Sequence, residues 1–175
     1  NGGNAMDAAI AGAVLLGICE PQMTGIGGDC FILFSPSGSD EIVSMNGSGS
    51  APSLANANDL RDRNLSSIPL DSPHAVTIPC AIDAFCKLSG DWGILGLDTI
   101  LQPAIHYATR GVPIAERVAY DLAELTDNLN SAGKEFYLPW GRAPNVGELF
   151  AHPGQVKVLK EIAKHGRDGF YSGEV

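Results

Sequence analysis

Residues Cys30-Phe31-Ile32-Leu33-Phe34 run without a polar side chain. Thr24-Gly25-Ile26-Gly27-Gly28-Asp29 leads in and Pro36-Ser37-Gly38-Ser39 leads out, so the run has the length and the boundaries of a strand. A strand apolar on both faces expects cover on both. Glu41-Ile42-Val43-Ser44-Met45 reads as the returning arm of a hairpin. No other stretch carries a clear strand signal, and a sheet of two strands rarely stands alone. The chain therefore reads as part of a larger sheet completed by another polypeptide.

Helical signals surround this hairpin. Asn4 is placed to cap a first helix, with Asp7 in its first turn. Met6, Ile10, Ala13, Val14 and Gly17 follow helical spacing, and Ala5, Ala8, Ala9 and Gly12 make the opposite face apolar as well. A helix apolar all round expects burial, here ended by Pro21. Ser53 to Arg63 reads as a short helix capped by Ser53, and Ser72 to Pro79 as extended. Further helices are expected from Cys80 to Leu88, along Leu101, Ala104, Ile105 and Ala108 up to Arg110-Gly111, and from Ile114 to Leu125. Asp127 to Gly147 reads as loop. A last helix opens at His152-Pro153 and closes at Lys164-His165-Gly166. Strands early and helices late predict an α+β fold, with residues 1–175 as a single domain.

The net charge is -9, from 20 acidic and 11 basic side chains. That balance disfavours a nucleic-acid partner, which needs a basic face, and docking on an anionic membrane. No apolar run approaches the ~20 residues that span a bilayer. The stretch from Ala8 to Ile18 lacks a basic lead, so it does not read as a signal peptide. The chain has no initiator Met, and a preceding segment is expected to have been removed. Cys19, Cys30, Cys80 and Cys86 lack the spacing of a zinc half-site and are expected as buried free thiols. Reduced thiols favour a cytoplasmic home, with a periplasmic one left open.

The glycine loop invites a nucleotide reading, but its order is helix, glycines, strand, where a dinucleotide fingerprint needs strand, glycines, helix. No Walker lysine follows. His74, His106, His152 and His165 fall in no metal-binding spacing; His152 and His165 fit helix ends, and His106 fits packing or surface. Neither a cofactor nor a metal is expected. Asn46-Gly47-Ser48-Gly49-Ser50 offers an amide, hydroxyls and backbone N–H groups directly after a strand, which suits either a ligand contact or a simple turn.

Five stretches resemble the gamma-glutamyltranspeptidase family. Gly2-Gly3-Asn4-Ala5-Met6-Asp7-Ala8-Ala9 is similar to its GGNAxDAA opening, and Glu20-Pro21-Gln22-Met23-Thr24-Gly25-Ile26-Gly27-Gly28-Asp29-Cys30-Phe31 to its EPxxSGIGGGGF segment. Thr77-Ile78-Pro79-Cys80 stands at a VGVPG-like turn. Val146-Gly147-Glu148-Leu149-Phe150 and Gly169-Phe170-Tyr171-Ser172-Gly173 resemble later family elements. The resemblance implies the N-terminal-nucleophile (Ntn) hydrolase fold, an αββα sandwich of which this chain supplies an incomplete large-subunit portion. It implies self-cleavage of a precursor and a catalytic threonine at the start of the small subunit, so no catalytic residue is expected here. The partners implied are that small subunit and a small amide substrate.

One departure bears on the substrate. Family members carry a DxRExAP-like motif whose arginine holds the α-carboxylate of the glutamyl group. Here Ala51-Pro52 anchor the match, and Ser48 occupies the arginine position. Asn46, Gly47 and Ser48 are thus the expected substrate-binding residues. A hydroxyl is a poor replacement for a bidentate guanidinium, and this NGSG variant resembles an oxamate amidohydrolase-like or acylase-like branch. Three alternatives remain: a gamma-glutamyl enzyme, a relative without gamma-glutamyl specificity, and a non-catalytic binding module of the same fold.

Overall fold

The computed structural model describes residues 2–69 and 72–175. They form two compact units, one from the N-terminal segment up to Gly25 together with Phe85–Val175, the other from Ile26–Ala84.

The first unit is helical. Helix α1 (Ala5–Cys19) starts on a reciprocal cap: Asn4 accepts from the Asp7 N–H, and Asp7 accepts from the Asn4 N–H. Asp7 is 3% exposed and also accepts the N–H groups of Ile94 and Leu95. Burial pushes its carboxyl up, but these backbone donors outweigh that and hold it below the ordinary carboxylate value. The Gly3-Asn4-Asp7 signature is therefore a tether between the start of α1 and residues 94–95. Met6, Ile10, Val14 and Ile18 are buried, whereas Ala5, Ala8, Ala9 and Gly12 are exposed in this chain. The expectation of a helix buried all round thus holds for one face only.

Helix α3 (Ala81–Trp92) runs beyond the expected stop at Ser89-Gly90. Helices α4 (Leu97–Ile100) and α5 (Gln102–Arg110) follow, and Gly111 ends α5 at φ 91°. Helix α6 (Glu116–Leu125) places Val118 and Leu122 with Ile114 and Phe150 in a small core. The span expected as loop contains helix α7 (Ser131–Tyr137), capped by Asn130. Helices α8 (Pro153–His165) and α9 (Asp168–Tyr171) close the chain. Two very short strands, β3 (Val112–Pro113) and β4 (Leu149–Phe150), pair antiparallel. Neither was expected, because two residues carry no readable alternation.

The second unit carries the hairpin. Strand β1 (Phe31–Phe34) pairs antiparallel with β2 (Val43–Asn46), with Phe31 opposite Asn46 and Leu33 opposite Ser44. The Pro36 carbonyl accepts the Ser39 N–H in the connecting turn. Phe31 and Leu33 are 70% and 76% exposed, so one face of the apolar strand is bare in this chain. Helix α2 (Ala57–Asp62) is capped by Asn56, three residues after the expected cap Ser53. Residues 72–79 open with a 3-10 turn, Pro73–Ala75, before they extend.

Candidate functional site

The segment Asn46-Gly47-Ser48 leaves β2 without breaking the ladder. The Gly47 N–H donates to the Cys30 carbonyl at 2.8 Å, and the Gly47 carbonyl accepts the Cys30 N–H at 3.3 Å. The next pair, Phe31 and Asn46, then falls in the register where facing side chains approach most closely. Gly47 is buried: a methyl there would lie 2.7 Å from Cys30 Sγ and 2.8 Å from Ala84 Cβ. Gly49 is equally constrained, since a methyl would collide with the Ile78 carbonyl, while the Ile78 N–H donates to the Ser50 carbonyl at 3.0 Å. Close packing, not turn conformation, demands both glycines.

Asn46 closes the loop on itself. Its Oδ1 accepts the Ser48 N–H at 2.9 Å and the Ser48 hydroxyl at 2.6 Å. Such a turn is a common use of asparagine after a strand. It also fixes the amide orientation: Oδ1 faces the two donors, so Nδ2 turns its hydrogens away from them. With its proton committed to Asn46, Ser48 Oγ presents lone pairs. The loop therefore offers neutral donors and a neutral acceptor.

Charge in the surrounding unit is sparse and mostly negative. Residues 26–84 hold two arginines, Arg61 and Arg63, against seven acidic side chains. Arg61 donates to Asn58 Oδ1 at 3.0 Å. Arg63 and His74 line a cavity of ≈ 470 Å³ with Pro52, Leu60 and Ile68, and this cavity begins at Ala51, three residues past Ser48. No sequence pattern announces it, because its walls come from 51–68 and 73–74 and only folding brings these together.

The remaining sequence candidates lie elsewhere. Gly25 and Gly27 have open space where a Cβ would stand. The Gly28 carbonyl accepts the N–H groups of Cys80 and Ala81, both at 3.1 Å. None of the four cysteines forms a disulfide, and all are half-buried rather than buried. His152 caps α8 at 2% exposure, packed against the rings of Phe136 and Phe150. Burial pushes its pKa down against a hydrogen bond to the Ile18 backbone. His106 is exposed on α5, and His165 lies 3.8 Å from Glu161 at the end of α8. Among the described residues no three metal-ligating side chains gather.

Comparison with known proteins places these features in a family. The model of the gamma-glutamyltranspeptidase family matches residues 1–175. The chain is 33% identical to the glutathione hydrolase-like YwrD proenzyme of Bacillus subtilis, over 99% of this chain and 33% of that protein. It is 32% identical to the oxamate amidohydrolase proenzyme of Klebsiella pneumoniae, over 98% of this chain and 34% of that one. Among solved structures, the gamma-glutamyltranspeptidase of Helicobacter pylori superposes with a TM-score of 0.93 at 28% identity, covering 99% of this chain and 51% of its own. The cephalosporin acylase of Bacillus halodurans gives 0.91 at 34% identity, covering 98% and 33%. The chain spans about a third of the length of the curated relatives it matches. The fold is α+β and is shared with these Ntn hydrolases.

Proposed function

Since this chain belongs to the gamma-glutamyltranspeptidase family, we propose that its two units are parts of one large-subunit domain of an Ntn amidohydrolase, with Asn46-Gly47-Ser48 meeting the substrate. The nucleophile is a threonine outside residues 1–175, at the start of a small subunit cut from the same precursor. Its hydroxyl attacks the amide carbonyl and its own α-amine takes the proton. The amine product leaves, and water or an amino-acid acceptor resolves the acyl-enzyme. That several relatives are named proenzymes supports the processing step.

The observation that carries the substrate reading is the self-closed Asn46–Ser48 loop. It holds no cation where a glutamyl α-carboxylate would need one, and charge-assisted hydrogen bonds of that kind contribute about 1.5–3 kcal/mol. In oxamate the carboxylate is bonded directly to the amide carbon, so nothing has to reach a distant arginine. A small amide, gamma-glutamyl or related, is the substrate class, and the loop favours the member without the glutamyl α-amino-acid group.

The test is turnover of a gamma-glutamyl anilide against oxamate by the whole processed protein. Oxamate turnover should dominate; efficient glutamyl turnover would sink the oxamate-like reading. Ser48→Arg should lower KM for the glutamyl substrate roughly 10- to 100-fold. Replacing the small-subunit threonine by alanine should abolish both activities; retained amide hydrolysis would leave a binding module with some other source of turnover.

A further inference from the structure

Two thiols, those of Cys30 and Cys80, belong to the segments packed around the Asn46–Ser48 loop. Cys30 flanks Gly47 with its sulfur, and the two residues exchange both backbone hydrogen bonds. The Cys80 N–H donates to the Gly28 carbonyl at 3.1 Å, which ties the start of α3 to the chain two residues before Cys30. Ala84, whose N–H donates to the Cys80 carbonyl, packs against the same point of Gly47 as the Cys30 sulfur. Gly47 thus packs against both Cys30 and the helical turn that begins at Cys80. Both thiols are free and half-buried.

We propose that Cys30 and Cys80 form a paired oxidative-modification site, whose disulfide fixes Gly47 and with it the Asn46–Ser48 loop. Burial, and after it the charges of Asp29 and Cys80, hold the Cys30 thiol up, which places the Cys80 thiol within electrostatic reach of Cys30. With a small-molecule disulfide as oxidant, one cysteine thiolate attacks a sulfur of the reagent; the reagent's S–S bond breaks and its first half leaves as a thiol. The second cysteine thiolate attacks the protein sulfur of that mixed disulfide, forming the Cys30–Cys80 bond and releasing the second half. The dithiol loses two electrons and two protons, and the reagent becomes two thiols.

The consequence for catalysis rests on the proposed substrate role of the loop; the cross-link itself does not. The whole processed protein, carrying Cys19→Ser and Cys86→Ser, is treated with hydroxyethyl disulfide and mapped by peptide mass spectrometry. A linked peptide joining Cys30 to Cys80 is expected, absent after Cys30→Ser or Cys80→Ser. Hydrogen exchange over residues 45–50 should slow roughly tenfold on oxidation and recover with dithiothreitol. Separate hydroxyethyl adducts on both cysteines with no linked peptide overturn the proposal, and so does a linked peptide with unchanged exchange. Amide turnover is read in parallel: a fall on oxidation supports the role of the loop, while a reduced protein without any turnover refutes the amidohydrolase reading and leaves the cross-link to be judged by mass and exchange.

Discussion

Gly49 packs so closely on the Ile78 backbone that a Cβ would collide with the Ile78 carbonyl. Gly49→Ala should therefore cost about 1–3 kcal/mol through the forced shift of that backbone, seen as a lower denaturant midpoint together with weakened amide turnover. The Asn46–Ser48 loop is legible in the sequence as a polar turn after a strand, but the demand for glycine at 47 and 49 comes from Cys30, Ala84 and Ile78, which no local pattern links to it. The cap formed by Asn4 and Asp7 is legible because both groups lie within one helical turn. The second role of Asp7, holding the N–H groups of Ile94 and Leu95, is not, because those partners stand 87 and 88 residues away. His152 gives the pH dependence. An unfolded histidine takes up its proton near 6.5, whereas burial lowers that value in the folded state. Above 6.5 both states are neutral and the contribution is whole; as pH falls from there through the lowered folded value, unfolding binds the proton and stability declines. Denaturant midpoints measured across this window should fall for the wild type more steeply than for His152→Gln; parallel slopes would remove His152 as the cause.

Long periodic elements were readable, and short ones were not. Helices α1, α5, α6 and α8 fall where the apolar stripes and the terminal signals put them. Helix α7 was missed because Ser131-Ala132-Gly133 has the composition of a loop, and its start depends on the Asn130 side chain accepting the Gly133 N–H at 2.8 Å. Helix α3 passes through Gly90, whose breaking tendency of about 1 kcal/mol is small beside the burial of Ile82, Phe85 and Leu88 on the same helix. At Gly111 the glycine signal was right, since its φ of 91° and ψ of 151° belong to a region that other residues enter only with strain. A Cβ at this position would also stand 3.3 Å from that of Leu149 on β4, the strand paired with β3. Gly111→Ala should lower stability by about 1–3 kcal/mol, read as a drop in the thermal midpoint. An unchanged midpoint would mean that the turn relaxes to negative φ without loss.

At the scale of the molecule, the exposed strand face says what the chain expects to meet. Phe31 and Leu33 lie on one face of β1, beside Asn46 and Ser44 of β2, and Ile42 at the start of the returning arm is 75% exposed. Large apolar side chains gathered on a strand face are a docking surface or an aggregation hazard. The matched relatives are about three times as long as this chain. On the function proposed above, the remainder of a precursor would cover Phe31 and Leu33, and the small subunit would meet the face that they share with Asn46. Residues 1–175 produced alone should then self-associate and bind a hydrophobic dye, and Phe31→Ser with Leu33→Thr should reduce both effects. The same pair of substitutions in the full precursor should do the opposite, weakening subunit association and turnover, because each removes about 1.5–3 kcal/mol of apolar burial at the contact. Sedimentation of the 175-residue chain as a monomer that unfolds cooperatively and binds no dye would show that the face needs no cover, and the incomplete-sheet reading would fall with it.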